Sequence, residues 1–456
     1  MTKLVSTNPG KNYKKLGEVN ISTKDDIRNK VKKANLAKRE WKDLGVDERV
    51  RFIRRVVDKL KENKEELALL ATQEMGIPIS QSRNDVDDAI RYFIWYLDNA
   101  KKYLSPEIVY QDDKITHKVF YEPLGVAAVI IPWNFPLSNF VWGCGQNLIS
   151  GNTVVLKHSE ECPLFGKRLE ELIESCGLPD GVFSEVYGDG KIGDYLVHQD
   201  IGLISFTGST KVGKHLYKVA GEKFIKIVSE MGGSAPGIIF EDADLEKALE
   251  TTYYNRFSNC GQACDALKRL IVHESKFAQV AQELKELLSS KKIGDSEKES
   301  TDIGPLVAKR QLELLELQVK DAIDKGAKIL IGGRRPKNLH GAYYEPTILT
   351  NVNRKMRVWQ EEVFGPVLPI VSFKTEEEAI SLANDTKYGL GAYIFTEDKE
   401  KALCVASQID AGMVGINNAS YLQPCSPFGG YKDSGIGREH GKFGFNELTQ
   451  VKVVAF

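Results

Sequence analysis

Cys264 has the setting in this chain that most favours chemistry. It follows Gly261-Gln262-Ala263, a stretch too polar and glycine-rich to be core, and an ionised thiol placed there is a nucleophile. Cys260 lies four residues earlier and could share a helical face with it as a pair of metal ligands, but none of the seven histidines is near. A closed metal site needs those further ligands, so no metal is expected. Cys144, Cys162, Cys176, Cys260, Cys404 and Cys425 read as buried structural thiols. Glu230 ends a strand pattern and opens onto Met231-Gly232-Gly233-Ser234-Ala235-Pro236. Alone it would read as solvated charge; beside a glycine hinge and within reach of a thiol, a carboxylate can activate the thiol or a water. In Pro132-Trp133-Asn134-Phe135-Pro136 the aromatic residues suit packing, while an amide at a strand-to-helix junction can donate to a developing oxyanion.

Two stretches could hold phosphate. Gly188-Asp189-Gly190-Lys191-Ile192-Gly193 matches GxGxxG, but the next strand lacks the acidic residue that a dinucleotide fingerprint places about 20 positions on, so a tight structural turn is the better reading. Phe206-Thr207-Gly208-Ser209, with Lys211, Gly213 and Lys214 in the following turn, is the better pyrophosphate cradle. Lys157 ends a strand and Glu160 follows three residues later; together they could meet the hydroxyls of a ribose, though lone charges are more often plain surface.

These residues need rigid elements to position them. The first hundred residues read as helical: Ser22 and Asp25 resemble a capping box, Ile27, Val31, Ala34 and Trp41 share a face, and Val50, Ile53, Val57 and Leu60 repeat the spacing. A third helix runs from Lys64 to a Gly76 stop and a fourth from Gln81 to Leu97. Lys114 to Glu122 reads as a strand outside the main core. After Pro123, short apolar strands alternate with helices: Val126–Ile131, Thr153–Leu156, Val182–Tyr187, Leu203–Phe206 and Ile225–Val228. A second series follows, with Ile238–Phe240, Leu270–Val272, Ala327–Ile331, Val367–Ile370, Gly391–Phe395 and Gly412–Ile416. That rhythm predicts an α/β fold of two parallel sheets with helices on their faces.

Composition narrows the function classes. The chain has 456 residues, 42% of them hydrophobic, with Lys+Arg 62 against Asp+Glu 63 and a formal net charge of -1. That suits a globular protein of two or three domains and leaves no basic excess for nucleic acid or an acidic membrane surface. The longest apolar run, Leu124 to Ile131, is far short of the roughly 20 residues of a membrane-crossing helix. With no apolar leader, and an odd, scattered set of seven cysteines without a CxxC pair, the expectation is a cytoplasmic protein.

Taken in order, Pro132-Trp133-Asn134-Phe135-Pro136, Gly151-Asn152-Thr153-Val154-Val155-Leu156-Lys157, Phe206-Thr207-Gly208-Ser209-Thr210, Glu230-Met231-Gly232-Gly233, Gly261-Gln262-Ala263-Cys264, Gln360-Glu361-Glu362-Val363-Phe364-Gly365-Pro366 and Pro427-Phe428-Gly429-Gly430-Tyr431-Lys432-Asp433-Ser434-Gly435 resemble the aldehyde dehydrogenase superfamily over essentially the whole chain. The resemblance implies two Rossmann-like parallel-sheet domains plus a β oligomerisation arm. Its domain plan is a cofactor domain in two parts (1–111 and 125–230), an oligomerisation strand (112–124), a catalytic domain (231–440) and a C-terminal oligomerisation strand (441–456), in a homodimer or homotetramer. It also implies a mechanism. Cys264 attacks an aldehyde, Asn134 and the Cys264 N–H hold the oxyanion, and Glu230 activates the water that hydrolyses the thioester. NAD would contact Ile131, Pro132, Trp133, Lys157, Ser159, Glu160, Gly190, Phe206, Gly208, Ser209, Val212, Met231, Gly232, Glu362 and Phe364; Glu160 favours NAD, and Lys157 leaves NADP open.

The branch it resembles is the short bacterial and archaeal one, often described as succinate-semialdehyde dehydrogenases. The chain starting near Ser6-Thr7-Asn8-Pro9-Gly10 would then lack the N-terminal hairpin of many relatives. Trp142 stands where members using carboxylate-bearing aldehydes place an Arg, which suggests an apolar pocket with Phe428. Arg256 is the alternative carboxylate anchor, or else an ordinary salt-bridged Arg. Gly143 replaces a Lys proposed for proton relay in some relatives. The competing readings are a general aliphatic or aromatic aldehyde dehydrogenase, a coenzyme A-acylating member, a reductase of acyl phosphates and a non-catalytic nucleotide-binding relative. Glu230 argues against the acylating reading.

Overall fold

The computed structural model describes residues 2–456. It begins with an antiparallel hairpin of β1 (Lys3–Asn8) and β2 (Lys14–Asn20), so the expectation of an all-helical start without a hairpin is corrected. The hairpin's polar sequence hides a tertiary anchor: Ser6 is buried and its Oγ donates to buried Glu74 at 2.5 Å. Four helices follow, Lys24–Asp43, Gly45–Glu62, Lys64–Met75 and Ile79–Leu104. The first is capped one residue later than expected, by a reciprocal box between Thr23 and Asp26. Ile27, Val31, Ala34 and Trp41 are buried along it as the spacing predicts. Gly76 ends the third at φ 79°, a left-handed position that glycine adopts without strain.

Next come β3 (Glu107–Gln111) and β4 (Thr116–Pro123), then the strands of the first sheet, β5 (Val126–Ile130), β6 (Thr153–Lys157), β7 (Phe183–Glu185), β8 (Leu203–Thr207) and β9 (Lys226–Glu230). The second series is β10 (Ala235–Ile239), β11 (Leu267–His273), β12 (Lys328–Ile331), β13 (Thr347–Thr350) and β14 (Val367–Phe373), then a short β15 (Tyr388–Gly389), β16 (Gly391–Phe395) and β17 (Met413–Ile416). The chain closes with β18 (Tyr431–Lys432), β19 (Gly435–Ile436) and β20 (Thr449–Ala455). Of the second sheet's strands, β13 gave no usable pattern, because only Ile348 and Leu349 interrupt its threonines.

The first sheet has the order β19-β9-β8-β5-β6-β7, parallel except for β19. Burial on both faces explains the near-continuous apolar runs of β5 and β6. Trp41, Phe93, Val129, Val154 and Leu156 join the core on one side, and Ile27, Val31, Ala128, Leu216 and Val219 the core on the other. The second sheet runs β12-β13-β14-β11-β10-β16-β17, with only β12 antiparallel. β20, β4 and β3 form a separate antiparallel sheet whose Ile108, Val109, Val451, Val453 and Phe456 are exposed. No helix among the described residues is long and apolar enough to cross a membrane.

One connection sets the site. β9 ends at Glu230, Met231-Gly232-Gly233-Ser234 follows, and β10 starts at Ala235. The carboxyl edge of the first sheet is thereby joined to the amino edge of the second, where Cys264 precedes β11 and Glu362 precedes β14.

Candidate active site

The carboxyl edge of the first sheet gathers the residues expected to hold a dinucleotide. Ile130 lies opposite Lys157 on one side and Phe206 on the other, and Thr207 lies opposite Glu230. The chain crosses from β5 to β6 on one side and to β8 on the other, and the crevice at such a switch point is where open α/β sheets bind ligands. Asn134 sits in the turn after β5, and Gly208 and Ser209 in the turn after β8. Ser209 caps helix Thr210–Lys223 with no side-chain hydrogen bond, so the first-turn amides remain available to an anion. Asp189, in the GxGxxG stretch, instead caps helix Gly190–Val197 by accepting from Lys191 N at 3.0 Å, as a structural turn would. A Cβ on Gly190 would meet nothing within 4 Å, and one on Gly193 would lie 3.2 Å from Lys157 Cδ, which sets that helix start beside the lysine. Lys157 is buried; its Nζ donates to His158 O at 3.0 Å and lies 3.6 Å from Glu160. Ser159 is buried and Val212 exposed on either side of this cleft. An amine beside a carboxylate and uncommitted helix amides along one crevice fit a dinucleotide.

The amino edge of the second sheet carries the thiol. Asn259 at φ 48°, Cys260 at φ 54° and Gly261 at φ 73° make a left-handed turn before it. Two non-glycine residues there cost about 1–3 kcal/mol each and must be held by their surroundings. The hold is visible: Asn259 N donates to Gln81 Oε1 (2.7 Å), Asn259 Nδ2 to Asn134 O (2.7 Å), and Val307 N to Gln262 Oε1 (3.0 Å). A Cβ on Gly261 would lie 2.4 Å from Gly365 O, so only glycine fits the approach to the Glu362 loop. Asn134 Nδ2 donates to Gln262 O at 2.9 Å while its Oδ1 accepts from Asn139 at 3.2 Å, which orients the amide and leaves its second N–H uncommitted. Cys264 is half-buried and packs, with Tyr421 and Leu422, against the buried cluster of Leu390, Met413 and Phe428; Cys260, Cys144, Cys162 and Cys176 are buried. Cys404 and Cys425 are exposed rather than buried, because each sits outside an apolar face.

Lys268 ties this edge together. Its Nζ donates to Glu362 Oε1 (2.5 Å), Cys264 O (2.8 Å) and Gly233 O (2.9 Å), and Gly233 N donates back to Glu362 Oε1 (3.0 Å). Phe364 stands between the Lys268 amine, 5.3 Å from its ring, and Trp133, 5.7 Å away edge-on. Ser434 Oγ donates to Gly232 O at 2.7 Å and Ser434 O accepts from Met231 N at 2.9 Å, which staples the link after Glu230.

The carboxyl groups are poised differently. Glu230 is buried with both oxygens lacking a hydrogen-bond partner, and burial pushes its carboxyl well above the usual range against the weaker pull of Arg438. Glu439, whose charge also raises it, is itself pushed up to about 8 by burial. Burial raises the Cys264 thiol, the Asp265 charge adds to that, and Lys268 opposes it. These surroundings favour the protonated thiol.

Trp142 and Phe428 do lie together, ring centroids 5.5 Å apart, with Tyr92 at 5.6 Å from Trp142 and His440 at 4.9 Å. Arg256 is not with them. It is fully buried, and its guanidinium donates to Val367 O at 3.0 Å, Val363 O at 3.1 Å and Gly365 O. Burial lowers it to about 9. Those carbonyls explain its place: it holds the loop that carries Glu362 and Phe364, and is not a carboxylate anchor. Sequence reading passed over Lys268, Asp265 and Glu439. A Lys four residues after Cys264, in a strand with Leu267, Leu270, Ile271 and Val272, was the available signal for the first; Glu439 had none.

A sequence profile of the Aldehyde dehydrogenase family matches residues 2–454. The betaine aldehyde dehydrogenase of Bacillus subtilis (strain 168) is 38% identical over 97% of this chain and 92% of its own length. The NADP(+) succinate-semialdehyde dehydrogenase of Escherichia coli (strain K12) is 35% identical over 98% of this chain and 92% of its own. The crystal structure of Staphylococcus aureus betaine aldehyde dehydrogenase in complex with NAD+ superposes at a TM-score of 0.96 with 35% identity, covering all of this chain and 91% of that one. With the thiol, the amide and the dinucleotide crevice in the same fold, the chain belongs to the aldehyde dehydrogenase family.

Proposed function

We propose that this protein oxidises an aldehyde to a carboxylate with NAD(P) and water, through a thioester on Cys264. The observation that carries the hydrolytic reading is Glu230: a buried carboxyl with two unpartnered oxygens, stapled one glycine link from the carbonyl of the nucleophile. Cys264 Sγ, once ionised, bonds to the aldehyde carbon, and the uncommitted N–H of Asn134 with the Cys264 N–H receives the oxyanion. When bound, the dinucleotide accepts the hydride that turns the adduct into a thioester. Glu230 then takes a proton from water, the hydroxide adds to the thioester carbon, and the C–S bond breaks to give the carboxylate and the free thiol. Glu439, whose charge raises the proton affinity of Glu230, is the carboxyl to which that proton can pass.

Support for cofactor placement comes from the unbonded Ser209 cap, with Lys157 and Glu160 at the adenine-ribose end and Glu362 and Phe364 at the nicotinamide end. Glu160 beside Lys157 favours NAD, because a carboxylate repels a 2′-phosphate. Succinate semialdehyde finds no anchor in Arg256, which donates to three carbonyls, and the aromatic wall of Trp142, Tyr92 and Phe428 favours an aldehyde without a terminal carboxylate. The domains are those of the family plan, 1–111 with 125–230 and 231–440. The exposed apolar face of β3 and β20 suits a homodimer or a dimer of dimers. Seven unpaired thiols suit a reducing, cytoplasmic compartment.

The test is oxidation in 18O-labelled water, with and without coenzyme A or orthophosphate. Label in the carboxylate product and a rate indifferent to both additions are expected; a rate that requires either addition would sink the hydrolytic reading.

A further inference from the structure

We propose that Asp265 selects an aldehyde carrying an ammonium group a few bonds from its carbonyl, a short ω-aminoaldehyde. The inference rests on the aldehyde-oxidising reading above and specifies its substrate.

Asp265 is the residue directly after the nucleophile, and like Cys264 it is half-buried. Tyr421 packs against the same Leu390, Met413 and Phe428 cluster as Cys264, and its Oη donates to Asp265 Oδ2 at 3.2 Å. Tyr421 Oη is also 2.7 Å from Tyr393 Oη, and that hydroxyl lies 3.1 Å from Asp265 O. A carboxylate therefore stands beside the reacting thiol in an aromatic surround, with Tyr421 as its side-chain hydrogen-bond donor.

Burial raises its carboxyl above the usual range, Lys268 opposes that only through space, and every charged side chain nearby is bonded elsewhere. Lys268 has its amine committed to Glu362, Cys264 O and Gly233 O. Asp88 and Arg91 on helix Ile79–Leu104 pair with each other at 3.0 Å, and Arg91 also reaches Gln423 of the covering loop. Arg256 is bound to three carbonyls behind the loop that precedes β14. Asp265 takes part in no ion pair among the described residues. A desolvated carboxylate facing aromatic rings is complementary to an organic cation, through charge and through the ring faces. It repels an aldehyde that ends in a carboxylate.

The arrangement also couples recognition to reaction. The Asp265 charge is one cause of the thiol's resistance to ionisation. A cation seated on Asp265 cancels that charge, so the thiolate forms where the right substrate already lies.

The experiment compares kcat/KM for 3-aminopropanal, its neutral isostere butanal, and succinate semialdehyde, in the wild type and in Asp265→Asn. The wild type should prefer 3-aminopropanal to butanal by tenfold or more, with succinate semialdehyde last, and Asp265→Asn should bring the amine-to-butanal ratio to near one. Propylammonium, which has no carbonyl, should compete with butanal in the wild type, a measurement that does not depend on the variant folding. Butanal oxidised as fast as 3-aminopropanal, a preference that survives Asp265→Asn, or no competition by propylammonium would each overturn the assignment to Asp265. Failure of all three aldehydes with both NAD and NADP would instead overturn the aldehyde-oxidising reading beneath it.

Discussion

At the carboxyl edge of the first sheet the polar groups are left unspent: Ser209 caps its helix without a side-chain bond and neither oxygen of Glu230 has a partner. At the amino edge of the second sheet the cations are tied to the fold, with Lys268 on three acceptors and Arg256 on three carbonyls. One edge keeps donors and acceptors for molecules that arrive and leave; the other spends its charges holding a left-handed turn and the thiol behind it in one geometry. A buried group without a partner costs stability and a fully bonded one does not, so the first edge bears the cost of binding and the second supplies the rigidity.

Substitutions at the two edges should therefore fail in different ways. Cys264→Ala, at the junction, should lower turnover by roughly 10⁴-fold or more while leaving dinucleotide binding measurable by fluorescence titration. Retained turnover would mean the thiol is not the nucleophile. Glu230→Gln should slow hydrolysis by roughly 10²–10⁴-fold, so that a burst of reduced cofactor precedes a slow steady state and an acyl adduct appears by mass spectrometry. Unchanged steady-state turnover would remove Glu230 from deacylation.

On the rigid edge, Lys268→Met strands Glu362 and two carbonyls, and should lower stability by about 3 kcal/mol in denaturant unfolding, with a raised KM for the dinucleotide. If stability and KM are both unaltered, the contrast between the edges collapses. Glu439 gives a pH signature. Its carboxyl, at about 8 when folded and 4.5 otherwise, binds its proton more tightly in the folded protein. That contribution is full below pH 4.5 and fades as pH rises to about 8, so stability should fall across that window and Glu439→Gln should flatten the fall. The smallest effect is expected for Ser209→Ala: loss of about 1 kcal/mol, near fivefold in cofactor KM, with unfolding unchanged because the hydroxyl bonds nothing in the free protein.

The legible part of the site was the part carried by local pattern. The turns Pro132–Pro136 and Phe206–Ser209, the link after Glu230 and the stretch before Cys264 each combine glycine, proline or small residues with a strand boundary, and that combination survives in a linear reading. The alternating apolar strands likewise announced two parallel sheets. Less legible were charges whose partners lie far along the chain. Arg256 looked like a possible anion anchor until Val363, Gly365 and Val367 were seen to take its guanidinium, more than a hundred residues away. The first hairpin escaped notice for the same reason: a buried serine on Glu74 replaces the apolar face that a strand pattern needs.

Residue type and neighbours within a few positions were enough to point to the family, to the alternation that makes two α/β sheets, and to Cys264, Glu230 and Asn134 as candidates. Only the tertiary structure decided which charges are free. Whether Lys268, Arg256 or Asp265 can meet a ligand depends on which carbonyls, carboxylates and hydroxyls fold against it, and in a low-dielectric interior that pairing sets both its protonation and its availability.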